Sequence, residues 1–255
     1  MIRRLTALAA CAATAATSAA QADDISFVAC PIVRDTPSVP CWLSEYEGEL
    51  YYMGVQSDVS APFTPPWLGH MALVEGTPSS GVERICGGIV LDPVKVSVMP
   101  EMSPECDTML PAEPGYVLPF EPRRPPGPSN GTLAFTPPPP PLPPEPPFEA
   151  KSFAVYFPFE GSVNFQTPGD LRLIQEYAED IGARSITVVG HRAAVRLSNG
   201  RVLAERSGLA GKRAREIGRM FEGLVSTVEK ITINASETAI EGNWQMRRVD
   251  VIVEP

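Results

Sequence analysis

The chain has 255 residues, of which 44% are hydrophobic, and its formal net charge is −9. This length has room for one or two domains, and the acidic balance argues against nucleic acid as a general partner. Residues 23–110 contain three basic and thirteen acidic side chains and so carry −10, which the solubility of an exported protein explains.

Residues 1–22 have the pattern of a secretory signal peptide. Arg3 and Arg4 precede a mildly apolar run, and small residues at positions 20–22 supply the cleavage site, so we expect cleavage after residue 22. The run is too short and too weakly apolar for a transmembrane helix, and no other segment has the length to span a bilayer. An alternative is a lipoprotein-type cleavage that leaves Cys11 lipid-modified.

Four cysteines remain after removal of the signal, namely Cys30, Cys41, Cys86 and Cys106, and all lie in residues 23–110. In an exported chain this number predicts two disulfides with three alternative connectivities. We expect the sequence neighbours to pair, Cys30 with Cys41 and Cys86 with Cys106. A metal site is the weaker alternative because no C-x-x-C spacing occurs.

Residues 23–110 form the predicted head, a small all-β domain. Short β-rich runs are separated by Pro, Gly, Ser and Asp clusters and lie at residues 25–28, 49–56, 70–75, 83–91 and 95–99. Short strands alone favour a closed barrel or a sandwich, and residues 68–76 loosely resemble a strand of OB-type barrels. The aromatic residues belong either to the core or to a binding face; they are Trp42, Tyr46, Tyr51, Tyr52, Phe63 and Trp67.

Residues 111–150 form a proline-rich linker. The run at 137–147 cannot be a helix interior or a central strand, because proline fixes φ and lacks an N–H group. We expect polyproline II and a semi-rigid spacer of about 100 Å, with head and tail tumbling independently. The alternative is a ligand for SH3 or WW domains.

Residues 151–255 form the predicted tail, in which strands and helices alternate. The first helix is predicted to start with Thr167 as its N-cap and to end at Gly182, with a buried stripe of Leu171, Ile174, Ala178 and Ile181. The second helix is predicted to begin at residue 202 or 207 and to end at 224, with Leu209, Ala214, Ile217, Phe221 and Leu224 facing inward. Strands are expected at 152–157, 185–189, 230–235 and 248–253, in a mixed sheet with both helices on one side.

The tail contains the motifs YFPFE at residues 156–160, VVGH at 188–191, LAGKRA at 209–214 and RRVDV at 247–251. In this order, the four motifs resemble those of the OmpA-like peptidoglycan-binding domain. The resemblance implies a site in which an arginine holds the carboxylate of diaminopimelate and an aspartate holds its ammonium group.

The motif places Arg213 at the carboxylate position, where a planar guanidinium forms two hydrogen bonds, although a plain surface arginine is an equal alternative. At the position where the family has the aspartate that binds the ammonium group, this chain has Ala193. At the position of an asparagine of the family's motif, it has Arg206. The predicted ligand-binding residues are therefore Arg213, His191, Arg192 and Arg206, with Glu205 as the only nearby acid that could compensate. We expect weak, salt-sensitive wall binding that Arg213→Ala lowers and Ala193→Asp raises.

The sequence thus predicts an α+β protein of a Gram-negative envelope. It has a small all-β, barrel or OB-like head, a proline-rich linker and an OmpA-like βαβαβ-type tail, and it is located in the periplasm in association with the cell wall or outer membrane. It would tether or space envelope components through weak peptidoglycan binding, with an envelope protein bound to the head. The alternative is a protein-interaction subunit or scaffold that has lost wall binding. No nucleophile–base set is visible, and neither an enzymatic activity nor a cofactor is expected.

Overall fold

The computed structural model describes residues 24–55, 66–118, 144–162 and 169–255. The predicted signal peptide, Cys11, Phe63, the central part of the proline-rich linker and Thr167 lie outside the described residues. The described chain contains two sheets and two α-helices, so it has mixed α and β structure in which strands predominate.

Seven strands form one sheet in the described residues of the head. They are β1 (Ile25–Ala29), β2 (Pro31–Arg34), β3 (Cys41–Tyr46), β4 (Glu49–Val55), β5 (His70–Pro78), β6 (Ile89–Met102) and β7 (Met109–Leu110). Their order in the sheet is β1-β5-β6-β4-β3-β2-β7. The described residues of the head form strands and no helix, in agreement with the prediction for this segment, whereas closure into an OB-like barrel stays a prediction.

Strands β2 and β3 were not predicted, and the run at 83–91 is a strand only from Ile89 onward. All four residues of β2 are buried, as are the first four of β3, so these strands lack the alternation of polar and apolar residues by which a half-buried strand is recognised. The turn between β3 and β4 has positive φ at Glu47 (52°) and Gly48 (79°), as in the mirror-image turns that favour tight hairpins.

The disulfides of the head pair Cys30 with Cys106 and Cys41 with Cys86. The prediction of two disulfides is confirmed, and the predicted pairing of sequence neighbours is wrong. The reason is the strand order: Cys41 begins β3, and the segment that carries Cys86 runs past β4 on its way to β6, which brings the Cα atoms of Cys41 and Cys86 to 6.6 Å. Cys106 follows β6, and its Cα lies 4.9 Å from that of Cys30.

The tail is a mixed sheet with two helices packed on one face. Its elements are β8 (Lys151–Tyr156), α1 (Gly169–Asp180), β9 (Ser185–Arg196), β10 (Val202–Ala204), α2 (Leu209–Phe221), β11 (Lys230–Glu241), a short 3-10 helix (Trp244–Met246) and β12 (Arg248–Glu254). Strand β12 pairs antiparallel with β8 and β9, and β11 pairs parallel with β9. Ile174 and Ala178 of α1 share one core with Ile217 and Phe221 of α2, which confirms that both helices lie on one side.

The second helix is shorter than predicted at both ends. Residues 202–204 form β10, which pairs with the end of β9 across a turn at residues 198–200. Gly208, with φ 84°, precedes the helix in a left-handed conformation that glycine adopts without steric cost. After the helix ends at Phe221, Leu224 is 48% exposed, so its predicted inward orientation is wrong.

The head packs directly against the tail, which contradicts the predicted independent tumbling. Arg247 of the tail and Glu75 of β5 form a pair with Nη2–Oε2 at 2.5 Å and Nη1–Oε1 at 3.2 Å. Both side chains are buried, 0% and 8% exposed. A partner for Arg247 cannot be found from the sequence, because it lies 172 positions away in another domain.

Apolar side chains and backbone hydrogen bonds extend this contact. Leu73 of the head shares a buried cluster with Phe159, Val195 and Leu197 of the tail. The backbone N–H of Phe159 donates to Ser97 Oγ at 2.9 Å, at a buried position. A proline-rich linker therefore joins two domains that also bind each other through a buried interface.

We expect the mature protein to contain no free thiol and to yield disulfide-linked peptides that join Cys30 to Cys106 and Cys41 to Cys86. Closing loops of 76 and 45 residues restricts the unfolded chain strongly, and the loss of one such bond costs about 2–4 kcal/mol of the free energy of unfolding. Non-reducing peptide mapping checks the pairing, and urea denaturation of Cys30→Ser with Cys106→Ser checks the energy. Peptides that join Cys30 to Cys41 would contradict it.

We expect a compact small-angle scattering profile for the wild-type chain and a larger radius of gyration for Glu75→Lys. The substitution places a lysine against Arg247 and beside Lys95, the cross-strand neighbour of Glu75, so attraction between the domains becomes repulsion. Glu83→Lys makes the same charge change at an exposed position of the head and serves as the control. Two separated bodies in the wild-type profile would refute the interface.

Candidate functional site

Arg213 is completely buried, with a side-chain exposure of 0%. It lies on the inner face of α2, which packs close to β9 because Gly190 has no side chain: a Cβ there would lie 2.0 Å from the carbonyl oxygen of Ala210. The guanidinium stands 4.9 Å from the ring centroid of Phe157. The surface-arginine alternative is wrong, because the residue lies inside the domain.

Every N–H of this guanidinium has an acceptor within the chain. Nε donates to Gly161 O at 2.8 Å, Nη1 to His191 O at 3.1 Å and Nη2 to Pro158 O at 3.1 Å. The two remaining N–H groups bind Glu205, with Nη2–Oε1 at 2.6 Å and Nη1–Oε2 at 2.9 Å. Because arginine has five N–H donors, none is left for an added carboxylate in this arrangement.

Glu205 is equally buried and equally satisfied. Besides Arg213, its Oε1 accepts from the backbone N–H of Glu160 at 3.0 Å, and its Oε2 accepts from the backbone N–H of Ala193 at 2.8 Å. Four donors thus surround the two oxygens of a carboxylate that is 0% exposed. In the OmpA-like resemblance the carboxylate on this arginine comes from the ligand, whereas here the chain supplies its own.

The other two predicted arginines also face internal glutamates. Arg206, 63% exposed, donates from Nε to Glu160 Oε2 at 2.5 Å, and this hydrogen bond, followed by the charge of Glu160, raises the pKa of Arg206. Nη1 of Arg192 lies 3.9 Å from Glu237 Oε2. The positive charge that would attract a carboxylate is therefore compensated at each of these positions.

Glu237 also occupies the start of α2. Its Oε2 accepts from the backbone N–H of Gly208 at 2.8 Å and its Oε1 from that of Gly211 at 3.1 Å. The first N–H groups of a helix lack partners within the helix and attract anions. No sequence signal indicated Glu237, because it reaches α2 from the middle of β11, 26 positions further along the chain.

His191 takes part mainly through its backbone, whose carbonyl accepts from Arg213. Its Nε2 lies 2.9 Å from Asp250 Oδ2, a contact that is an ion pair only when the imidazole is protonated. Asp250 in turn accepts from Nε of Arg248 at 2.8 Å. The structure thus brings His191 to Arg213, while Arg192 and Arg206 bind glutamates of their own.

A cavity of about 560 Å³ lies between head and tail and was not predicted. Asp24, Glu75 and Lys95 line it from the head, and Arg196, Glu241 and Trp244 line it from the tail. The ammonium of Lys95 lies 4.4 Å from the ring centroid of Trp244, and burial, followed by the charge of Arg247, lowers its pKa. Side chains of both signs line this cavity, with Asp24, Glu75 and Glu241 acidic and Lys95 and Arg196 basic.

No group of three or more histidine, cysteine, aspartate or glutamate side chains arranged to hold a metal ion occurs in residues 24–55, 66–118, 144–162 and 169–255. Across the same described ranges, none of the helices has both the length and the apolar character needed to span a bilayer.

No protein-family model, no curated protein and no solved structure matches the chain. The OmpA-like resemblance therefore rests on the four sequence motifs, and the geometry around Arg213 is the basis for any statement about function.

We expect Arg213→Met to lower the free energy of unfolding by about 3–5 kcal/mol, because it leaves the buried carboxylate of Glu205 without its charged partner. Adding Glu205→Gln should restore part of this loss. The double variant should therefore lose less free energy of unfolding than the sum of the losses of the two single variants. Arg215→Met, on the exposed face of the same helix, is the matched control. Urea denaturation measures the stabilities of Arg213→Met, Glu205→Gln, the double variant and Arg215→Met. Equal stabilities of Arg213→Met and Arg215→Met would contradict the buried pair.

Proposed function

We propose that this protein is a non-enzymatic interaction subunit of a bacterial cell envelope, whose OmpA-like tail carries the head instead of binding peptidoglycan. The single observation that carries the proposal is the enclosed pair of Arg213 and Glu205, both with 0% side-chain exposure. The arginine that the family uses for its ligand serves here as an internal structural link.

Wall binding at this position would require Glu205 to leave Arg213. A displaced Glu205 would lose two bonds to the guanidinium and two to backbone N–H groups. Leaving one partner of a buried ion pair without the other costs about 3–5 kcal/mol, which exceeds the gain of about 1.5–3 kcal/mol from a new charge-assisted hydrogen bond to a carboxylate. Replacing Glu205 by a carboxylate of the cell wall at Arg213 therefore gives no net gain in free energy.

The head–tail interface supports a carrier role for the tail. Arg247 belongs to the RRVDV motif of the resemblance, and it holds the head through Glu75. The two disulfides of the head fit an oxidising compartment outside the cytoplasm, in agreement with the predicted signal peptide. A rigid, disulfide-bonded head on a fixed base is suited to contact another envelope protein.

Co-sedimentation of the full mature chain with purified diaminopimelate-type sacculi tests the proposal. We expect no binding above background at low or high salt, because the arginines near the family's ligand position are compensated by internal glutamates. Ala193→Asp should not create binding either, since Ala193 is 0% exposed and a second carboxylate there would lie beside Glu205.

Two exposed arginines provide the matched comparison for the opposite outcome. Arg206→Ala removes a charge beside the family's ligand position, whereas Arg172→Ala removes one on α1, where Arg172 is 76% exposed. Wild-type binding that Arg206→Ala abolishes and Arg172→Ala leaves intact would show that the wall uses this site. The tether function would then replace the proposed one.

A further inference from the structure

An apolar groove of about 510 Å³ lies on the head, away from the tail contact residues described above. Its walls include Trp42, Pro66, Trp67, Leu68 and Met109, and Asp35 borders it. We call it the tryptophan groove. Trp67 is 57% exposed and Met109 67% exposed, so two large apolar side chains of the groove face solvent. Exposed apolar surface of this kind is typical of a binding site.

The charge around the tryptophan groove selects the sign of its partner. The basic residues of the described head are Arg34, Arg84 and Lys95, and each has a close contact of its own. Arg34 Nη1 lies 3.7 Å from Glu113 Oε1, and Arg84 Nη2 lies 2.8 Å from Glu49 Oε2. Lys95 stacks on Trp244. Asp35 is exposed at the groove, on a head segment of net charge −10. A field of this sign attracts basic segments and repels acidic ones.

The composition of the walls favours an extended, proline-containing segment. Grooves lined by aromatic rings bind proline-rich chains, because polyproline II is already ordered before binding and its carbonyl groups have no internal partners. Trp42 supplies a donor for such a carbonyl, since its Nε1 is buried and has no hydrogen-bond partner among the residues that the structure describes. Because this atom is buried, a carbonyl can reach it only when the side chains that cover it move aside.

We propose that the tryptophan groove binds an extended, proline-containing segment with basic side chains from a partner protein. The tryptophan rings contact the prolines, and Asp35 pairs with an arginine or lysine of the segment. This inference rests on the proposed function, for which it names the binding surface and the class of partner. Wall binding and segment binding are measured separately, so the failure of one is distinguishable from the failure of the other.

Tryptophan fluorescence of the full mature chain provides the test. The chain has three tryptophans, so Trp244→Phe leaves the two groove residues as the only reporters. The probe is a synthetic eight-residue peptide with arginine at positions 3 and 6 and proline at all others. Control peptides carry glutamate in place of both arginines, or glycine and serine in place of the prolines.

We expect saturable binding of the probe, at least tenfold weaker binding of both control peptides, and weaker binding of the probe as salt is raised. Trp67→Ala and Asp35→Asn should each weaken binding at least fivefold. Val82→Ala, which shortens another exposed apolar side chain of the head, 53% exposed, should leave it unchanged.

Three results would overturn the proposal. Absence of binding, or binding that ignores Trp67→Ala and Asp35→Asn, would show that the groove does not take such segments. A dimeric wild-type chain that Trp67→Ala converts to monomers would assign the groove to a second copy. Binding seen only after Arg123→Glu with Arg124→Glu would assign it to the chain's own proline-rich linker.

Discussion

A buried guanidinium must have its charge and its N–H donors satisfied inside the protein, and two arginines of the tail impose this requirement on the whole structure. Removing a charge from water costs several kcal/mol unless a partner and additional hydrogen bonds replace the solvent. Arg213 meets the requirement with Glu205 and three backbone carbonyls, and Arg247 meets it with Glu75 and the carbonyl of Phe157. The pairing of Arg213 with Glu205 occupies the position at which the family would bind its ligand, and the pairing of Arg247 with Glu75 fixes the head on the tail.

The two solutions have opposite consequences for function. At Arg213 the chain provides the anion itself, so the place where an OmpA-like domain would receive a ligand is part of the folded core. At Arg247 the anion comes from a different domain, so the same kind of interaction becomes a joint between domains. Exposed apolar side chains remain on the head, where the tryptophan groove lies.

Electrostatic compensation recurs around the second helix of the tail. Glu237 accepts from the N–H groups that open α2, and Glu160 holds Arg206. Each of these carboxylates lies on a different element and approaches the same region, so their charges balance those of the neighbouring arginines. The overall net charge of −9 therefore says little about this region, where positive and negative groups are matched locally.

Periodicity and local chemistry determined much of the fold from the sequence alone. The stripes of Ile174 and Ala178 on one helix and of Ile217 and Phe221 on the other predicted their buried faces correctly. Four cysteines in an exported chain predicted two disulfides. Such features depend on residues a few positions apart in the sequence, or on residue type, and can therefore be predicted from the sequence.

Only the tertiary structure decided which distant groups meet. The pairing of Cys30 with Cys106, of Arg247 with Glu75 and of the helix start with Glu237 each joins segments far apart in sequence. Arg213 shows most clearly that a motif does not determine which group pairs with a side chain. Its position in the motif predicted a contact with a ligand, whereas in the structure it pairs with Glu205. A charged side chain interacts with whatever folding brings within a few ångströms, and sequence order does not encode that distance.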